Sequence, residues 1–297
     1  MNEASIPTQG YLMGVSSSSN CGYCKCGFDN GMSMLFLLSD GTFLVYDGGQ
    51  GASDAHHLFG MMRRLSKQYA LEKISVSAWI ITHYHRDHRG FLEYFLESYK
   101  ERVEIHEFWY HSIGRGDVEN TMQAHCPQTP IRHLEMGERV RFADVEIEVL
   151  CTPEALLEYA PNAMNEDDNN ASLVTRLSVG GKSLLVSGDA ARAAWEFLVQ
   201  THGERLKSDL FQVPHHGVPN GGSIEAYRLV DANTLLFTCG ERLFHAATHE
   251  NAQYISLPGY HHAFFCPPTY ELVKEFRGEI ILAGLFDGCN PRATRIV

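Results

Sequence analysis

The sequence predicts an α/β fold, two sheets covered by helices in one domain, on three observations. Apolar runs of strand character come early as a pair and then alternate with helical periodicity in each half of the chain. Gly, Pro and Asp-Gly signals that end strands punctuate these runs. The 297 residues, 44% hydrophobic and 20% charged, suffice for one large domain with a sizeable core.

Residues 32–38 and 42–46 read as strands joined at Ser39-Asp40-Gly41, because Asp-Gly between apolar runs marks a tight turn. Asp47-Gly48-Gly49 closes the second. Ser53 or Asp54 can cap a helix reaching Tyr69, with His57, Met61 and Leu65 at helical spacing. A strand of buried type follows over 76–81, and a helix over 90–100. The spacing predicts single strands over 103–110 and 139–150. Residues 112–137 lack a pattern, hold several Pro and Gly, and read as an inserted loop. Strands over 172–178 and 182–187 make a hairpin around Gly180-Gly181. A helix over 190–201 and a short strand over 210–213 follow, then strand, helix, strand and helix.

Between the strand at 76–81 and the next helix lies Thr82-His83-Tyr84-His85-Arg86-Asp87-His88-Arg89-Gly90, with three histidines and one aspartate in six positions. Imidazole binds zinc well, and a carboxylate adds charge compensation and can ligate. Four donors exceed what one catalytic ion takes from one loop, which points to two ions. Two further clusters can supply partners. In Ser187-Gly188-Asp189, Gly188 permits close backbone approach and Asp189 can bridge two cations. Alone, that aspartate reads equally as a cap for the helix from Ala190. Val213-Pro214-His215-His216-Gly217 places paired histidines at a strand end.

In order, Asp-Gly-Gly, H-x-H-x-D-H, Gly-Asp and His-His-Gly resemble the metallo-β-lactamase superfamily over roughly residues 28–290. More narrowly, the chain looks like the branch with the metallo-hydrolase domain of bacterial competence DNA-channel proteins and the phosphorylcholine esterases. That likeness rests on Asn169-Asn170-Ala171-Ser172-Leu173-Val174, Leu184-Leu185-Val186-Ser187-Gly188-Asp189-Ala190 and Pro214-His215-His216-Gly217. The resemblance implies a four-layer αββα sandwich, one domain over 28–297, preceded by an N-terminal segment, 1–27, with a cysteine cluster. It implies His83 and His85 on a first metal, Asp87 and His88 on a second, and Asp189 bridging. One of His215 and His216 completes the second metal. His216 is favoured as ligand and His215 as a proton donor or phosphate contact, with the reverse order open. Asp47 would orient the loop through hydrogen bonds.

Most superfamily members offer the first metal another histidine just before the strand that starts here near Ser172. This chain has Asn165-Glu166-Asp167-Asp168-Asn169-Asn170 instead, with Asp168 closest to the expected position and Asn170 next. The narrower branch also lacks that histidine. The cofactor expectation is two divalent metals, zinc first, with manganese or iron as alternatives where oxygen replaces nitrogen.

Such a pair brings a bound water to a pKa near ~7 and holds anionic oxygens. Asp87, Asp189 and His215 are the candidate catalytic groups. Tyr84, Asn170, His261 and His262 are candidate substrate contacts. His261-His262 follows Pro258-Gly259, where the branch carries Gly-His-Pro, but Tyr260 precedes the pair and Ala263 replaces the proline. The expected reaction is hydrolysis of a phosphodiester or small anionic ester. A lactone, thioester or β-lactam is the alternative on the same scaffold. A di-iron redox protein and a non-catalytic binding protein are more remote. The redox pattern has Glu at the second histidine position, where this chain has His85.

The net charge of −12, without a Lys/Arg run, favours a small anionic substrate over nucleic acid. No apolar run approaches the roughly 18 residues of a membrane span, and residues 1–10 lack the pattern of a secretory leader. A cytoplasmic location with eight reduced cysteines is the expectation. Cys21, Cys24 and Cys26 supply three thiolates, and a structural zinc there needs a fourth ligand such as Cys126, Cys151 or a distant His. His56-His57 reads as packing or surface. His111, ending a strand after Phe108-Trp109-Tyr110, is a candidate pocket residue.

Overall fold

The early strands build the middle of a first sheet. The computed structural model describes residues 6–15, 30–111, 113, 117–249, 265–283 and 293–297. Gln9–Met13 (β1), Ser33–Leu37 (β2) and Phe43–Asp47 (β3) run antiparallel, and Ala52–Gln68 (α1) crosses over to Ile74–Ile80 (β4), parallel to β3. Arg86–Arg89 (α2), Leu92–Tyr99 (α3), Val103–Ile105 (β5), Phe108–Trp109 (β6), Asp117–His125 (α4) and Ile131–Arg132 (β7) complete the first half. The second half opens with Arg139–Phe142 (β8), Val145–Cys151 (β9), Pro153–Tyr159 (α5), Ala163–Glu166 (α6), Val174–Val179 (β10) and Lys182–Val186 (β11). It continues with Arg192–His202 (α7), Leu210–Gln212 (β12), Ile224–Val230 (α8), Thr234–Phe237 (β13) and Glu241–Thr248 (α9). Pro267–Glu275 (α10), Glu279–Leu282 (β14) and Ala293–Arg295 (β15) follow.

The first sheet has the order β15-β1-β2-β3-β4-β6-β7, with β5 also on β4, and the second β14-β13-β12-β11-β10-β9-β8. Three apolar clusters divide the molecule into four layers. One joins the first sheet to α1 and α3, through Val45, Trp79, Leu58, Leu65 and Phe95. One lies between the sheets, around Phe36, Leu44, Ile80, Val149, Leu177 and Leu184. The third joins the second sheet to α7 and α8, through Phe211, Leu235, Trp195 and Tyr227. Each fully buried large side chain contributes about 1.5–3 kcal/mol. This is the αββα sandwich expected from the resemblance. Among the described residues no helix is long and apolar enough to cross a membrane.

Several elements differ from the sequence reading. The expected boundary at residue 28 gives way, because β1 pairs with β2 inside the first sheet. The helix expected over 90–100 is α3, and the one-turn α2 precedes it inside the metal loop. Gly90 marks the break: a Cβ there would lie 2.4 Å from the Gln50 carbonyl oxygen, so the chain passes too closely for a side chain. Helix α1 starts behind Gly51, and Asp54 serves it from inside, accepting from Gln50 N–H at 2.7 Å. The strand expected over 103–110 is interrupted where β4 bulges: Phe43 pairs with Val76 but Leu44 with Ala78. The strand expected over 139–150 is a hairpin, turning at Ala143 with φ of +48°. The expected loop over 112–137 contains α4, which buries Val118 and Met122, and β7. After β12 the order is helix, strand, two helices, then β14, and β15 returns to β1.

Candidate metal centre

The residues of the centre stand where strands of both sheets end at one edge. The loop 82–88 follows β4, Ser187-Gly188-Asp189 follows β11, and Val213–Gly217 follows β12. The sheets touch here, where Leu173 N–H donates to the Thr82 carbonyl at 2.9 Å; within the second sheet, Asp189 N–H donates to Ser172 Oγ at 3.1 Å. Gly188 has φ of +54°, and a Cβ on it would lie 3.0 Å from Thr82 Cβ. Both conditions require glycine. Gln212 ties the second and third clusters together. Its Oε1 accepts from Ser187 N–H at 2.9 Å, and its Nε2 donates to the Gly188 and Val213 carbonyls at 3.0 and 2.8 Å.

Two donor sets result, sharing one carboxylate. Single atoms of Asp87, His88, Asp189 and His216 lie within 4.8 Å of one another, and so do atoms of His83, His85 and Asp189. Asp189 Oδ2 stands 3.8 Å from His83 Nε2, 3.1 Å from His88 Nε2 and 3.4 Å from His216 Nε2. His216 Nε2 is also 3.0 Å from Asp87 Oδ2. His83, His88, Asp189 and His216 are each at most 1% exposed. His83 Nε2, His88 Nε2 and Asp189 Oδ1 are buried without a hydrogen-bond partner. Buried polar atoms are nearly always paired, and three orphans at one point fit a cation. Mixed imidazole and carboxylate donors suit zinc, manganese or iron.

Hydrogen bonds fix these rings from behind. Asp47, fully buried with φ of +51°, accepts from Thr82 N–H at 2.7 Å, Thr82 Oγ1 at 2.8 Å and His88 Nδ1 at 2.8 Å. The Trp79 indole N–H in turn donates to the Asp47 carbonyl at 3.0 Å, linking the helix-side core to the site. His216 Nδ1 lies 2.8 Å from Thr238 Oγ1 and 3.1 Å from its carbonyl oxygen, and Asn30 Nδ2 donates to Asp87 Oδ2 at 3.1 Å. Thr82, Thr238, Asn30 and Gln212 carried no such role in the sequence reading. A lone Thr or Asn at a strand end gives no spacing signal; only the fold shows what it faces.

The charges balance as a network. Burial pushes His83 well below the ordinary imidazole range, with His88 adding to the effect. Burial also lowers His88, but the Asp189 and Asp47 carboxylates outweigh it and hold His88 well above that range. For His216, burial is outweighed by Asp189 and Asp87, and the imidazole rises to about 9. Burial raises Asp189, but His88 and His216 carry it well below the usual carboxylate range. Burial dominates for Asp47, which is raised.

The structure treats the remaining candidates differently. Asp168 stands outside both sets, with Oδ1 3.3 Å from His85 Nε2 and Oδ2 accepting from the Tyr84 hydroxyl. Asn170 is turned into the fold and belongs to neither donor set. It is 1% exposed, donates to the Ala163 carbonyl at 2.9 Å and accepts from Ala194 N–H, at the start of α7, at 3.1 Å. The cap role considered for Asp189 also gives way, because α7 starts three residues later behind Ala191. His215 is half-buried and outside both donor sets, its Nδ1 bonded to the Pro219 carbonyl. His111 is buried, with Nδ1 2.8 Å from Glu154 Oε2. His261, His262 and the cluster of Cys21, Cys24 and Cys26 lie outside the described residues. Among those described, Cys126, Cys151, Cys239 and Cys266 are free thiols.

Comparison with known proteins agrees with this geometry. The family model of the metallo-beta-lactamase superfamily matches residues 26–219. ComE operon protein 3 of Bacillus subtilis is 26% identical over 168 residues, 56% of this chain and 20% of that protein. YcaI of Escherichia coli, itself uncharacterized, is 29% identical over 72 residues, 24% of this chain and 10% of that one. The chain thus spans a fifth or less of the length of these curated relatives. Among solved structures, the metallo-beta-lactamase fold protein YhfI of Bacillus subtilis superposes with a TM-score of 0.52 at 14% identity, covering 94% of this chain and 97% of its own. CmlA, a diiron β-hydroxylase from Streptomyces venezuelae, gives 0.53 at 13% identity, covering 98% and 55%. At these identities the likeness is one of fold. The matched segment takes in the loop 82–90, Asp189 and the His215-His216 pair, and the chain belongs to the metallo-beta-lactamase superfamily.

Proposed function

We propose that the protein is a two-metal hydrolase of a phosphodiester or similarly small anionic ester. The observation that carries this is Asp189, one buried carboxylate common to two adjacent donor sets. Bound there, a pair of divalent cations supplies an acidified water and neutralises the anionic oxygens of the substrate. Asp189, shared by both sets, would be the carboxylate that faces the attacking water. His83 and His85 belong to the first position, and Asp87, His88 and His216 to the second. His215, with Nδ1 on the Pro219 carbonyl, keeps Nε2 as the atom that exchanges a proton with the leaving oxygen. A phosphodiester suits this equipment, since its hydrolysis needs in-line attack and charge neutralisation more than a covalent intermediate. Zinc is the first choice of metal, with manganese or iron as alternatives.

The net charge of −12 favours a small substrate over a polyanion. A groove of about 1070 Å³ is lined by residues flanking Asp168 and by the loop after His216, and by none of the donor residues themselves. Glu166, Asp167, Glu196 and Glu225 line it against the single guanidinium of Arg192. Such a lining repels a polyanion. The four free thiols fit a reducing compartment such as the cytoplasm.

The test combines metal analysis of the purified protein with bis(p-nitrophenyl) phosphate, a lactone and a β-lactam as substrates. About two ions per chain and phosphodiester hydrolysis are expected. In Asp189→Asn the rate should fall by more than the roughly 10–100-fold that loss of an outer partner costs. A metal-replete protein inert on the diester but active on the lactone overturns the substrate assignment.

A further inference from the structure

The first donor set has three members and the second four. The side chain bordering the smaller set is already bound elsewhere. Asp168 Oδ1 lies 3.3 Å from His85 Nε2. Two ligands of one tetrahedral ion, each at ~2.1 Å, stand about 3.4 Å apart. Asp168 and His85 therefore have the separation of ligands to a common ion. Asp168 nevertheless falls outside the set formed by His83, His85 and Asp189. Its second oxygen accepts from the Tyr84 hydroxyl.

The two residues of that bond differ in how firmly they are held. Tyr84 is 8% exposed, and its carbonyl accepts from Arg89 Nε at 3.0 Å, while Arg89 pairs with Asp117. The Asp168 side chain is 46% exposed and stands at the start of a single short turn, 168–171. The tyrosine is the fixed member and the carboxylate the one able to turn.

We propose that Tyr84 acts through Asp168: it holds that carboxylate beside but off the first cation position, so that Asp168 is a displaceable fourth ligand and this position is the later to fill. The inference rests on the two-metal reading but not on any substrate. When a cation enters between His83, His85 and Asp189, Asp168 would rotate from the Tyr84 hydroxyl toward it and supply an oxygen as the fourth donor. The hydroxyl and the cation compete for one carboxylate, so removing the hydroxyl strengthens metal binding, the opposite of what loss of a structural contact does.

Zinc titrated calorimetrically into the chelator-treated full chain tests this. Two steps are expected, and His85→Ala identifies the weaker as the first position by abolishing it. Asp168→Ala should weaken the weaker step about tenfold or more, the scale on which loss of such a group costs affinity, and Tyr84→Phe should tighten it instead. The tighter step stays unchanged in both and reports intact folding. The double variant should match Asp168→Ala, because Tyr84 acts only through that carboxylate. An unchanged or loosened weaker step in Tyr84→Phe overturns the proposal, as does His85→Ala removing the tighter step. If the wild type takes one ion only, a second step gained in Tyr84→Phe upholds it and none overturns it. Failure of the hydrolase reading would appear separately, as a two-step titration with no turnover of any ester.

Discussion

Asp47 accepts the His88 Nδ1 at 2.8 Å and, with the same carboxylate, both the N–H and the hydroxyl of Thr82. One buried side chain thus fixes the start of the metal loop and the ring orientation of a donor six residues later. Asp47→Ala should leave His88 without its rear partner and two Thr82 groups unpaired. We expect metal affinity to fall about 10–100-fold. Stability should fall by about 3 kcal/mol or more, the cost of breaking a buried ionic pair from one side. Thermal unfolding and zinc titration check both, and a variant with wild-type metal affinity would show that the loop holds its shape unaided.

The pH dependence follows from His216. Its imidazole is raised to about 9, burial being outweighed by Asp189 and Asp87. A group raised on folding contributes stability that is fully present below its unfolded value, near 6.5, and is lost as pH rises through about 9. Chelator-treated protein should therefore become less stable between those two values, by at most about 3.5 kcal/mol at ~1.4 kcal/mol per pKa unit. The proton on His216 must leave when a cation takes its Nε2, so zinc uptake at neutral pH should release protons and tighten as pH rises. Melting temperatures across that window, and zinc titrations in two buffers of different ionisation enthalpy, measure this. A melting temperature that rises with pH, or uptake without proton release, contradicts it.

What the sequence displayed and what it hid divide along a physical line. Apolar runs on either side of Ser39-Asp40-Gly41 exposed β2 and β3, and the apolar run before the metal loop exposed β4, because those patterns are set within one element. The metal loop was legible since its donors are close in sequence, and Asp189 and His216 because each follows a strand and adjoins a glycine. The turn at Ala143-Asp144 was not, for neither residue announces it. Asp144 is held from outside, accepting from Thr8 Oγ1 at 2.5 Å and Ser39 N–H at 3.2 Å. Asn170 looked like a donor because it lies near the missing histidine, yet its amide joins α6 to α7. β15 pairs with β1 from the far end of the chain, and nothing local in either sequence specifies that partner.

Thr238 offers a test of the outer contacts alone. Its hydroxyl lies 2.8 Å from His216 Nδ1, and its carbonyl oxygen 3.1 Å from the same atom. Thr238→Val keeps the shape and the carbonyl but deletes the hydroxyl. Zinc affinity at the second position should weaken about tenfold, the low end for such partners, with little change in melting temperature. Unchanged affinity would assign the orientation of His216 to the backbone carbonyl.

Gly188 tests whether the closeness of the two sheets, rather than the donors themselves, sets the centre. Its φ of +54° disfavours any residue with a Cβ, and that Cβ would meet Thr82 Cβ at 3.0 Å and Ser172 Oγ at 3.1 Å. The left-handed backbone costs about 1–2 kcal/mol for an L residue. The contacts add to it, because Thr82 is bonded to Asp47 and Ser172 Oγ to Asp189 N–H, so neither yields without moving a donor. Gly188→Ala should therefore lose metal out of proportion to its loss of stability. Unfolding by denaturant should show a deficit of about 1–3 kcal/mol, and metal analysis fewer ions per chain than in wild type. The imidazoles and carboxylates are all retained in this variant. Full metal occupancy in a destabilised Gly188→Ala protein would mean that the strand ends can part without disturbing Asp189.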